Sequence, residues 1–423
     1  MILLNRRIEI LPGIFLRTVT SDKFKTGCFS VNLLRPLCSA EAAKNALVPS
    51  VLLRATAQYP DIAAITDHLD DLYGATLGAL VRKKGEVQMV GFYADFIEDC
   101  FVPEPVFAPM VDFLGQVLCD PLLQDGRFTP EAVEGERQNL IRVMQARIDE
   151  KRSYATSQML QTMCQAEAYS EPRLGNAEEL EDVTPQNLYA HYQNLLATSR
   201  IEIFYLGRQP EQVVADCFTK ALRGIQRRAC VAVSTQVVQR ADTVRRCSKQ
   251  MDVTQGKLSL GLRTGCTVTD ANYPALMLLN SILGGGVSSK LFHNVREKRS
   301  LCYYANSVLE KYKGIMVISS GVALDQMQTA EAAILKELDD CRNGVISRQE
   351  LADAKRAVLS ALAAWRDAPG ALDDYYLGMA VAEGMQELDA LAQAVKPLQL
   401  ADVQAAAQNL TLDTVFYLTG VEK

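Results

Sequence analysis

The residues from Leu279 to Val322 carry the strongest chemical signals of the chain, beginning with three consecutive glycines, Gly284, Gly285 and Gly286. A helix is predicted to follow them, and backbone N–H groups at a helix start after a glycine-rich loop can bind phosphate. The segment GGGVSSK nevertheless lacks the G-x-x-x-x-G-K-[ST] spacing of a P-loop, and a helix rather than a strand precedes it. A hinge between two helices therefore explains the glycines better than a nucleotide site does.

Histidine and cysteine, the usual ligands of transition metals, are spaced in ways that favour no metal site. The three histidines, His68, His191 and His293, each stand alone. His68 precedes Asp70 and Asp71, but a surface residue of a helix explains it better than a metal ligand. His191 is predicted to be structural, and His293 has no second ligand near it in sequence. For the same reason, no Ser/His/Asp or Cys/His catalytic arrangement can be argued.

Composition and charge exclude several classes of protein. A length of 423 residues predicts two or three domains. The net charge of -6 argues against a nucleic-acid partner. The N-terminal arginines follow a very short apolar run, which is the wrong order for a signal peptide, and no stretch approaches the roughly 18 apolar residues of a membrane span. The eleven cysteines form no C-x-x-C pair, and many free thiols fit a reducing compartment. We therefore expect a soluble, cytoplasmic protein without a membrane partner.

The elements that must position these residues alternate between strands, helices and hairpins. Around the glycines we predict a helix ending at Leu283, a second helix starting at Ser288-Ser289, and a hairpin from Leu301 to Ser319. In the first half the predicted elements are strands at 8–10, 14–19 and 28–34, helices at 40–56 and 62–72, a hairpin at 75–93, helices from 106, 129 and 184, and a strand at 201–206.

The second half repeats the order of the first at an offset of about 210 to 230 residues, which predicts a duplicated domain. The hairpin turn Lys83-Lys84-Gly85 is echoed at Lys311–Gly314, and the helix after Thr129 is echoed by one after Ser347. A chance order of generic elements is the alternative. Two repeated tripeptides weigh against chance: Gln193-Asn194-Leu195 with Gln408-Asn409-Leu410, and Phe204-Tyr205-Leu206 with Phe416-Tyr417-Leu418.

The predicted domains are residues 1–222 and 250–423, joined by a linker at 223–249. The linker is rich in arginine and weakly periodic, and its apolar stretch from Val231 to Val238 is expected to attach it to one domain or both. Its charges are better explained as a solvated surface than as a nucleic-acid site.

The segment GGGVSSKLFHNVREKRSLCYY resembles the second-domain signature G-G-G-x-S-S-R-L-F-x-x-V-R-E-K-x-x-L-x-Y of the pitrilysin/insulinase family of metallopeptidases, which includes the mitochondrial processing peptidases. The duplicated domain and the arginine-containing linker also belong to that family, so the resemblance covers nearly the whole chain. It implies an α+β fold of two duplicated domains, each a mainly antiparallel sheet with helices on one face.

Family members that cleave peptides bind zinc through H-x-x-E-H on a first-domain helix. In this chain the corresponding positions hold Leu47, Ser50 and Val51. A further glutamate ligand is expected seven residues after an E-R pair, but here Val143 follows Glu136-Arg137 at that spacing. Because aliphatic side chains offer no lone pairs, the resemblance implies a member without zinc or any other cofactor. We expect Leu47, Val51 and Val143 to lie side by side in a dry cluster.

The resemblance also implies a substrate clamp, made in the family by an arginine and a tyrosine seven residues apart in the second domain. Arg296 and Tyr303 match both types and spacing, and Gly284–Gly286 belong to the same signature. A guanidinium and a phenol can donate hydrogen bonds to peptide carbonyls and favour a developing oxyanion. Judged by residue type alone, Arg296 would be a solvated charge and Tyr303 a strand residue packed on the core. The intact signature around them favours a functional pair instead.

Taken together, the resemblance implies a non-catalytic, zinc-less subunit that binds peptide substrate and completes the active site of a zinc-bearing paralogous partner. In heterodimeric members, two clam-shaped subunits enclose a chamber where peptides bind, in part by adding a strand to a sheet edge. The alternative is a peptide-binding or assembly protein with no proteolytic role. We predict that the chain alone is inactive, and the sequence leaves open whether the isolated chain forms a homodimer.

Overall fold

The computed structural model describes residues 2–4 and 6–421, which form two compact units that interleave along the chain. Unit 1 takes the chain up to Gln145, together with Glu171–Ser234 and Pro369–Val381. Unit 2 takes Ala146–Ser170, Thr235–Ala368 and the chain from Ala382. The change of unit after Ser234 falls inside the predicted linker, whose bounds at 223 and 249 stay a prediction.

Strands and helices alternate much as predicted, with bounds shifted by a few residues. The strands are β1 (Ile2–Leu4), β2 (Ile8–Leu11), β3 (Ile14–Ser21), β4 (Thr26–Pro36), β5 (Thr76–Lys84), β6 (Val87–Ile97), β7 (Leu123–Gln124), β8 (Arg127–Phe128), β9 (Arg200–Gly207), β10 (Arg245–Met251), β11 (Gly256–Arg263), β12 (Cys302–Glu310), β13 (Ile315–Val322) and β14 (Thr411–Gly420).

The helices are α1 (Ala42–Leu52), α2 (Ile62–Asp71), α3 (Phe107–Cys119), α4 (Pro130–Ala146), α5 (Lys151–Met163), α6 (Pro185–Thr198), α7 (Glu211–Leu222), α8 (Tyr273–Gly284), α9 (Met327–Arg342), α10 (Arg348–Trp365), α11 (Pro369–Val381), α12 (Leu388–Val395) and α13 (Leu400–Asn409), and a π-helix spans Leu291–Glu297. Sequence signals explain several of the helix starts. The predicted capping box at α10 is present, because the Glu350 N–H donates to the Ser347 hydroxyl at 3.1 Å and the Ser347 N–H donates to the Glu350 carboxylate at 2.7 Å.

The two sheets share one topology, which confirms the predicted duplication. The unit 1 sheet has the order β1-β3-β9-β4-β6-β5, with β2 also on β3, and the unit 2 sheet has the order β10-β14-β11-β13-β12. Each sheet has one parallel pair, the inner pair β3 with β9 in unit 1 and the edge pair β10 with β14 in unit 2, and the pairs that follow it are antiparallel. The repeat Phe204-Tyr205-Leu206 and Phe416-Tyr417-Leu418 lies in β9 and β14, which occupy equivalent positions in the two sheets. The repeat Gln193-Asn194-Leu195 and Gln408-Asn409-Leu410 lies in α6 and at the end of α13, just before those strands.

Helices cover both faces of each sheet, so the expectation of helices on one face is wrong. In unit 1 the buried Phe29 and Phe92 of the sheet belong to the main core with α1, α3, α6 and α7. On the opposite face Leu34 and Met89 pack against Leu377 of α11. In unit 2, α5 covers one face of β11 and β14. A Cβ on Gly261 would lie 2.5 Å from the sulfurs of Met159 and Met163, so the glycine permits this close approach.

Ion pairs made by buried lysines hold these second-face helices in place. In unit 1 the Lys84 ammonium lies 2.6 Å from Asp374 of α11, next to the fully buried Asp373. In unit 2 the fully buried Lys313 ammonium lies 2.6 Å from Glu167, just after α5. Burial alone would raise the pKa of Glu167, but hydrogen bonds from Arg263 and Lys313 outweigh it and lower that pKa. Equivalent hairpin turns thus supply the lysine in both units.

The predicted linker is more ordered than its composition suggested. Its last residues belong to β10, which pairs with β14, and the Val231 N–H donates to the Thr198 carbonyl at 2.8 Å. Arg227 does not belong to a solvated surface, because its guanidinium donates to the carbonyls of Pro12, Leu196 and Ser199. Among the described residues, no helix combines the length and the apolar run needed to cross a bilayer.

Candidate functional site

The π-helix Leu291–Glu297 carries the first predicted clamp residue, Arg296. Leu291 and Val295 are fully buried one turn apart and fix the inner face of the helix. The Lys298 N–H donates to the His293 carbonyl at 3.0 Å, five residues back, which is the wider spacing of a π-helix. Such helices are rare and occur often at functional sites.

Two polar contacts attach the π-helix to its neighbours. The Lys290 ammonium, at its start, lies 2.9 Å from the Glu350 carboxylate of α10, and Lys290 is only 7% exposed. The Asn294 amide donates to the Glu337 carboxylate of α9 at 2.7 Å. Residue spacing does not reveal these partners, because each lies more than forty positions away in sequence. The backbone beneath Arg296 is therefore held from two sides.

The Arg296 side chain remains 41% exposed. Its guanidinium carbon lies 4.7 Å from the centre of the Phe292 ring, one turn earlier, and its Nε lies 3.6 Å from the Glu297 carboxylate. A cation over an aromatic face is attracted by the ring, by about 0.5–1 kcal/mol at an exposed site. The ring therefore restricts the directions in which the guanidinium can donate hydrogen bonds.

Tyr303 reaches solvent because β12 is irregular where it begins. The register of β12 against β13 shifts between Cys302 and Tyr304, and such a bulge re-aims side chains. Tyr303 is consequently 67% exposed, whereas Cys302 is 8% exposed. Burial raises the pKa of the Cys302 thiol, although hydrogen bonding to Ser320 and the charge of Arg296 oppose this shift. The thiol is therefore protonated at neutral pH and is a poor nucleophile.

Arg296 and Tyr303 line the same open concavity, of about 430 Å³. The structure therefore brings the two predicted clamp residues together at one surface. The guanidinium and the phenol can both donate hydrogen bonds to an acceptor that enters the concavity, such as a peptide carbonyl. The other residues that line it are Glu297, Ser300, Leu301, Cys302, Ala323 and Gln326.

The three predicted glycines lie outside the lining of this concavity. Gly284 is buried, and a Cβ on it would come within 2.5 Å of the Ser307 nitrogen, so it permits α8 to pack closely on β12. Gly285 and Gly286 are exposed, and a Cβ on Gly286 would meet no atom within 4 Å. A role for Gly284–Gly286 in substrate binding stays a prediction.

The first-domain helix α1 presents a different environment at the positions of the zinc motif. Leu47 is fully buried and Val51 is 3% exposed, and both belong to the core of unit 1. Ser50 is half-buried. Pro49 lies inside the helix and is buried among the same core residues. The side chains that replace the ligands thus fill the core.

The expected dry cluster of three residues is wrong for Val143, which is 55% exposed on α4. The packing stripe of α4 runs through Val133, Leu140 and Met144, of which Val133 is buried and the others are partly buried. Val143 precedes Met144 by one residue and therefore projects about 100° away around the helix. Only Leu47 and Val51 are buried together.

The residues at the zinc-motif positions do not fit a zinc ion. Leu47, Val51 and Val143 carry no lone pairs, and Ser50 is not among the usual ligands of this metal. Within residues 2–4 and 6–421, no group of three or more His, Cys, Asp and Glu side chains could hold a metal. The part of the chain that the structure describes thus offers no set of side chains that could activate water through a metal.

The polar groups next to α1 form hydrogen bonds within the core of unit 1. The buried Asn45 amide donates to the Gln88 oxygen at 2.9 Å, so its own oxygen is left to accept from His191 Nε2–H at 2.8 Å. Gln88 in turn donates to the Ala42 carbonyl at 2.9 Å. Burial lowers the pKa of His191 to about 4 and keeps the ring neutral. His191 is therefore structural, as predicted.

The remaining two histidines also have non-catalytic surroundings. His68 lies on α2 and is half-buried, stacked at 4.5 Å on Tyr59 and edge-on at 5.1 Å to Phe113. His293 is exposed on the π-helix, edge-on to Phe292.

Comparison with known proteins agrees with this geometry. Residues 182–358 match the family model for the peptidase M16 inactive domain. The probable inactive metalloprotease YmfF of Bacillus subtilis (strain 168) is 29% identical over 412 residues, which are 97% of this chain and 96% of that protein. The crystal structure of a conserved protein from Enterococcus faecalis V583 has a TM-score of 0.91 at 26% identity and covers 99% of both chains.

A peptidase M16 inactive domain from Pseudomonas fluorescens shares the fold. Its crystal structure has a TM-score of 0.81 at 16% identity and covers 99% of this chain and 98% of that one. The sequence signature, the duplicated sheets and these relatives point to one family. The matches to the peptidase M16 inactive domain and to a probable inactive metalloprotease support a place for this chain among the non-zinc members of the peptidase M16 (pitrilysin/insulinase) family, and its zinc-motif positions hold no zinc-binding residues.

Proposed function

We propose that this chain is the zinc-less subunit of a heterodimeric peptidase and that it contributes Arg296 and Tyr303 to peptide binding at a composite active site. The observation that carries the proposal is the exposure of both residues on one concavity of about 430 Å³. Had either residue been buried away from a cavity, a purely structural role would have been the better explanation.

The chemistry available to the two side chains supports this role. A peptide backbone offers carbonyl oxygens, and the guanidinium and phenol are hydrogen-bond donors. Donors aimed at the oxygen where negative charge develops stabilise the transition state as well as bound substrate. Because the described residues hold no cluster of side chains that could bind a metal, the hydrolytic step would belong to a zinc-bearing paralogous subunit.

The proposal places both subunits in the cytoplasm. All eleven cysteines of this chain are free thiols in the structure. Free thiols in such number are typical of a reducing compartment. A homodimer of the isolated chain would not supply the missing metal half, so the proposal requires a different partner chain.

The test is to add this chain to a purified zinc-bearing paralogue from the same organism and to measure hydrolysis of an unstructured fluorogenic decapeptide. We expect turnover to rise roughly 10-fold or more, since oxyanion donors contribute effects of this size or larger, and to saturate at one chain per partner. Neither chain should cleave the peptide efficiently alone.

Two other outcomes would overturn the proposal. If a stable complex forms but turnover does not change, the chain is a peptide-binding or assembly protein with no proteolytic role. If the chain alone holds one tightly bound zinc by mass spectrometry and cleaves the peptide, the composite site is wrong. A chain carrying Arg296→Ala serves as the matched control.

A further inference from the structure

Ser300 lies on the wall of the concavity, between Arg296 and Tyr303, and its backbone conformation is unusual. Its φ is +51°, in the left-handed region that side chains with a Cβ rarely adopt. Non-glycine residues held there cluster at functional sites, where the surrounding structure maintains the strain. Ser300 is also exposed, so no packing of its side chain explains the conformation.

This conformation ends the π-helix and reverses the chain. The Leu301 N–H donates to the Val295 carbonyl at 3.2 Å, across the end of the helix. A left-handed residue just past the last helical turn makes such a bond geometrically accessible, as it does at the ends of many α-helices. Without the reversal, the chain after Arg299 would continue away from Arg296.

The bulge at the start of β12 follows directly. After the reversal Leu301 lines the concavity, Cys302 turns into the core, and the register shift exposes Tyr303. Three irregular features therefore occur within thirteen residues, namely the π-helix, the left-handed Ser300 and the bulge. Regular geometry at any of them would change the direction of one of the two clamp side chains.

We propose that Ser300 is a positioning residue: its left-handed backbone, rather than its hydroxyl, sets the relative placement of Arg296 and Tyr303 for peptide binding. The inference rests on the proposed function, because it concerns the same site. It predicts that residues at position 300 support activity in the order of their tolerance for positive φ. Glycine has the highest tolerance, and a β-branched residue such as valine has the lowest.

The experiment compares Ser300→Gly, Ser300→Ala and Ser300→Val in complex with the zinc-bearing paralogue, using the fluorogenic decapeptide. Ser300→Gly should keep kcat and KM within about twofold of the original, since it retains the conformation. Ser300→Val should lower kcat/KM by roughly 10- to 100-fold, with most of the loss in kcat, because a shift of about 1 Å in a positioning group has effects of this size. Ser300→Ala should lie between them.

Asp125→Val is the matched stability control, because Asp125 is exposed, has the same φ of +51° and lies in the turn between β7 and β8 of unit 1. It should lose thermal stability as Ser300→Val does, yet keep full turnover. Equal loss of turnover in both variants would mean that general destabilisation explains the effect, and the inference would be wrong.

The remaining outcomes separate this inference from the proposed function. If Arg296→Ala reduces turnover but Ser300→Val does not, the clamp is real and Ser300 does not position it. If Ser300→Gly loses as much as Ser300→Val, the hydroxyl is the important group and the backbone claim fails. If Arg296→Ala has no effect, the proposed function fails and this inference fails with it.

Discussion

Helix α1 and the Arg296–Tyr303 loop hold the two sites that the family resemblance predicts, but their environments are opposite. On α1, Leu47 and Val51 are at most 3% exposed and fill the core of unit 1. On the loop, the Arg296 side chain is 41% exposed and Tyr303 is 67% exposed, on a common concavity. Burial of these apolar side chains stabilises the core of unit 1, so their role on α1 is structural.

The loop, in contrast, keeps features that stability alone does not require. The π-helix, the left-handed Ser300 and the bulge before Tyr303 are all departures from regular geometry. Such irregular backbone is expected at a site where side chains must be held in a particular geometry to bind a ligand. Under the proposed function, the zinc-motif positions have become part of the core, whereas the Arg296–Tyr303 loop keeps a separate peptide-binding surface.

The largest effect is expected from Val51→Asp, which would break the apolar filling of α1. The substitution buries a carboxylate without a partner, and we expect a loss of about 2 to 5 kcal/mol in the free energy of unfolding. Guanidinium chloride denaturation monitored by circular dichroism measures it. Val143→Asp is the matched control, and it should change stability by less than about 0.5 kcal/mol because Val143 is exposed. An unchanged free energy of unfolding for Val51→Asp would contradict the burial of this position.

A comparable effect, on activity rather than stability, is expected from Tyr303→Phe in the complex with the zinc-bearing paralogue. Loss of one hydrogen-bond donor to the developing oxyanion lowers kcat by roughly 10²- to 10³-fold, or about 2.7 to 4 kcal/mol. If Tyr303 only binds ground-state substrate, KM rises instead. Steady-state kinetics distinguishes the two cases.

Tyr304→Phe is the control for this substitution. The Tyr304 hydroxyl is buried and has no hydrogen-bond partner in the described part of the chain, so its removal should change neither kcat nor KM. A similar loss in both variants would show that the kinetics report damage to β12 and not removal of a clamp donor.

A smaller effect concerns the pH dependence of unit 1 through His191. Burial lowers the pKa of His191 to about 4 from an ordinary value of 6.5. Between these values the unfolded chain binds a proton that the folded chain does not, so stability falls as the pH falls from about 6.5 to 4, by about 3 kcal/mol at most. The contribution of His191 to stability should thus decrease on the acid side.

The variant His191→Gln isolates that contribution. Glutamine keeps a donor for the Asn45 oxygen but does not titrate, so its stability should depend less on pH between about 4 and 6.5. The comparison of two proteins is needed because burial raises the pKa values of Glu98 and Glu171 to about 7, which acts in the opposite direction. If the free energy of unfolding changes equally in both proteins between pH 6.5 and about 4, His191 is not buried in its neutral form.

Much of the fold could be predicted because local signals were strong. The hairpin turn at Lys83-Lys84-Gly85, the Ser347-Glu350 capping box and the repeated tripeptides each reflect short-range chemistry, and the structure confirms them. Most of strand β10 falls within the predicted linker, because Arg245–Met251 is largely polar and has no apolar alternation that would indicate a strand. Its pairing with β14 depends on a partner about 170 residues away.

The candidate site shows the same limit. The types and spacing of Arg296 and Tyr303 could be read from the sequence, but the π-helix and bulge that expose them could not. Val143 was placed by counting from Glu136-Arg137, which gives a position along α4 but not the direction of its side chain. The sequence also does not predict that helices cover the second face of each sheet. The contacts that hold them there, such as the buried ion pair of Lys313 with Glu167, join segments that are distant in sequence.

The most direct test of the retained clamp is turnover by the reconstituted pair with Arg296→Ala, measured against Arg299→Ala. Arg299 is an exposed arginine three residues later that does not line the concavity, so the two variants remove the same charge from neighbouring surface positions. We expect both to fold and to bind the partner, with Arg296→Ala roughly 10²- to 10³-fold slower and Arg299→Ala within about twofold of the original chain. Equal turnover by all three proteins would contradict the account, and would leave this chain as only a structural half of the complex.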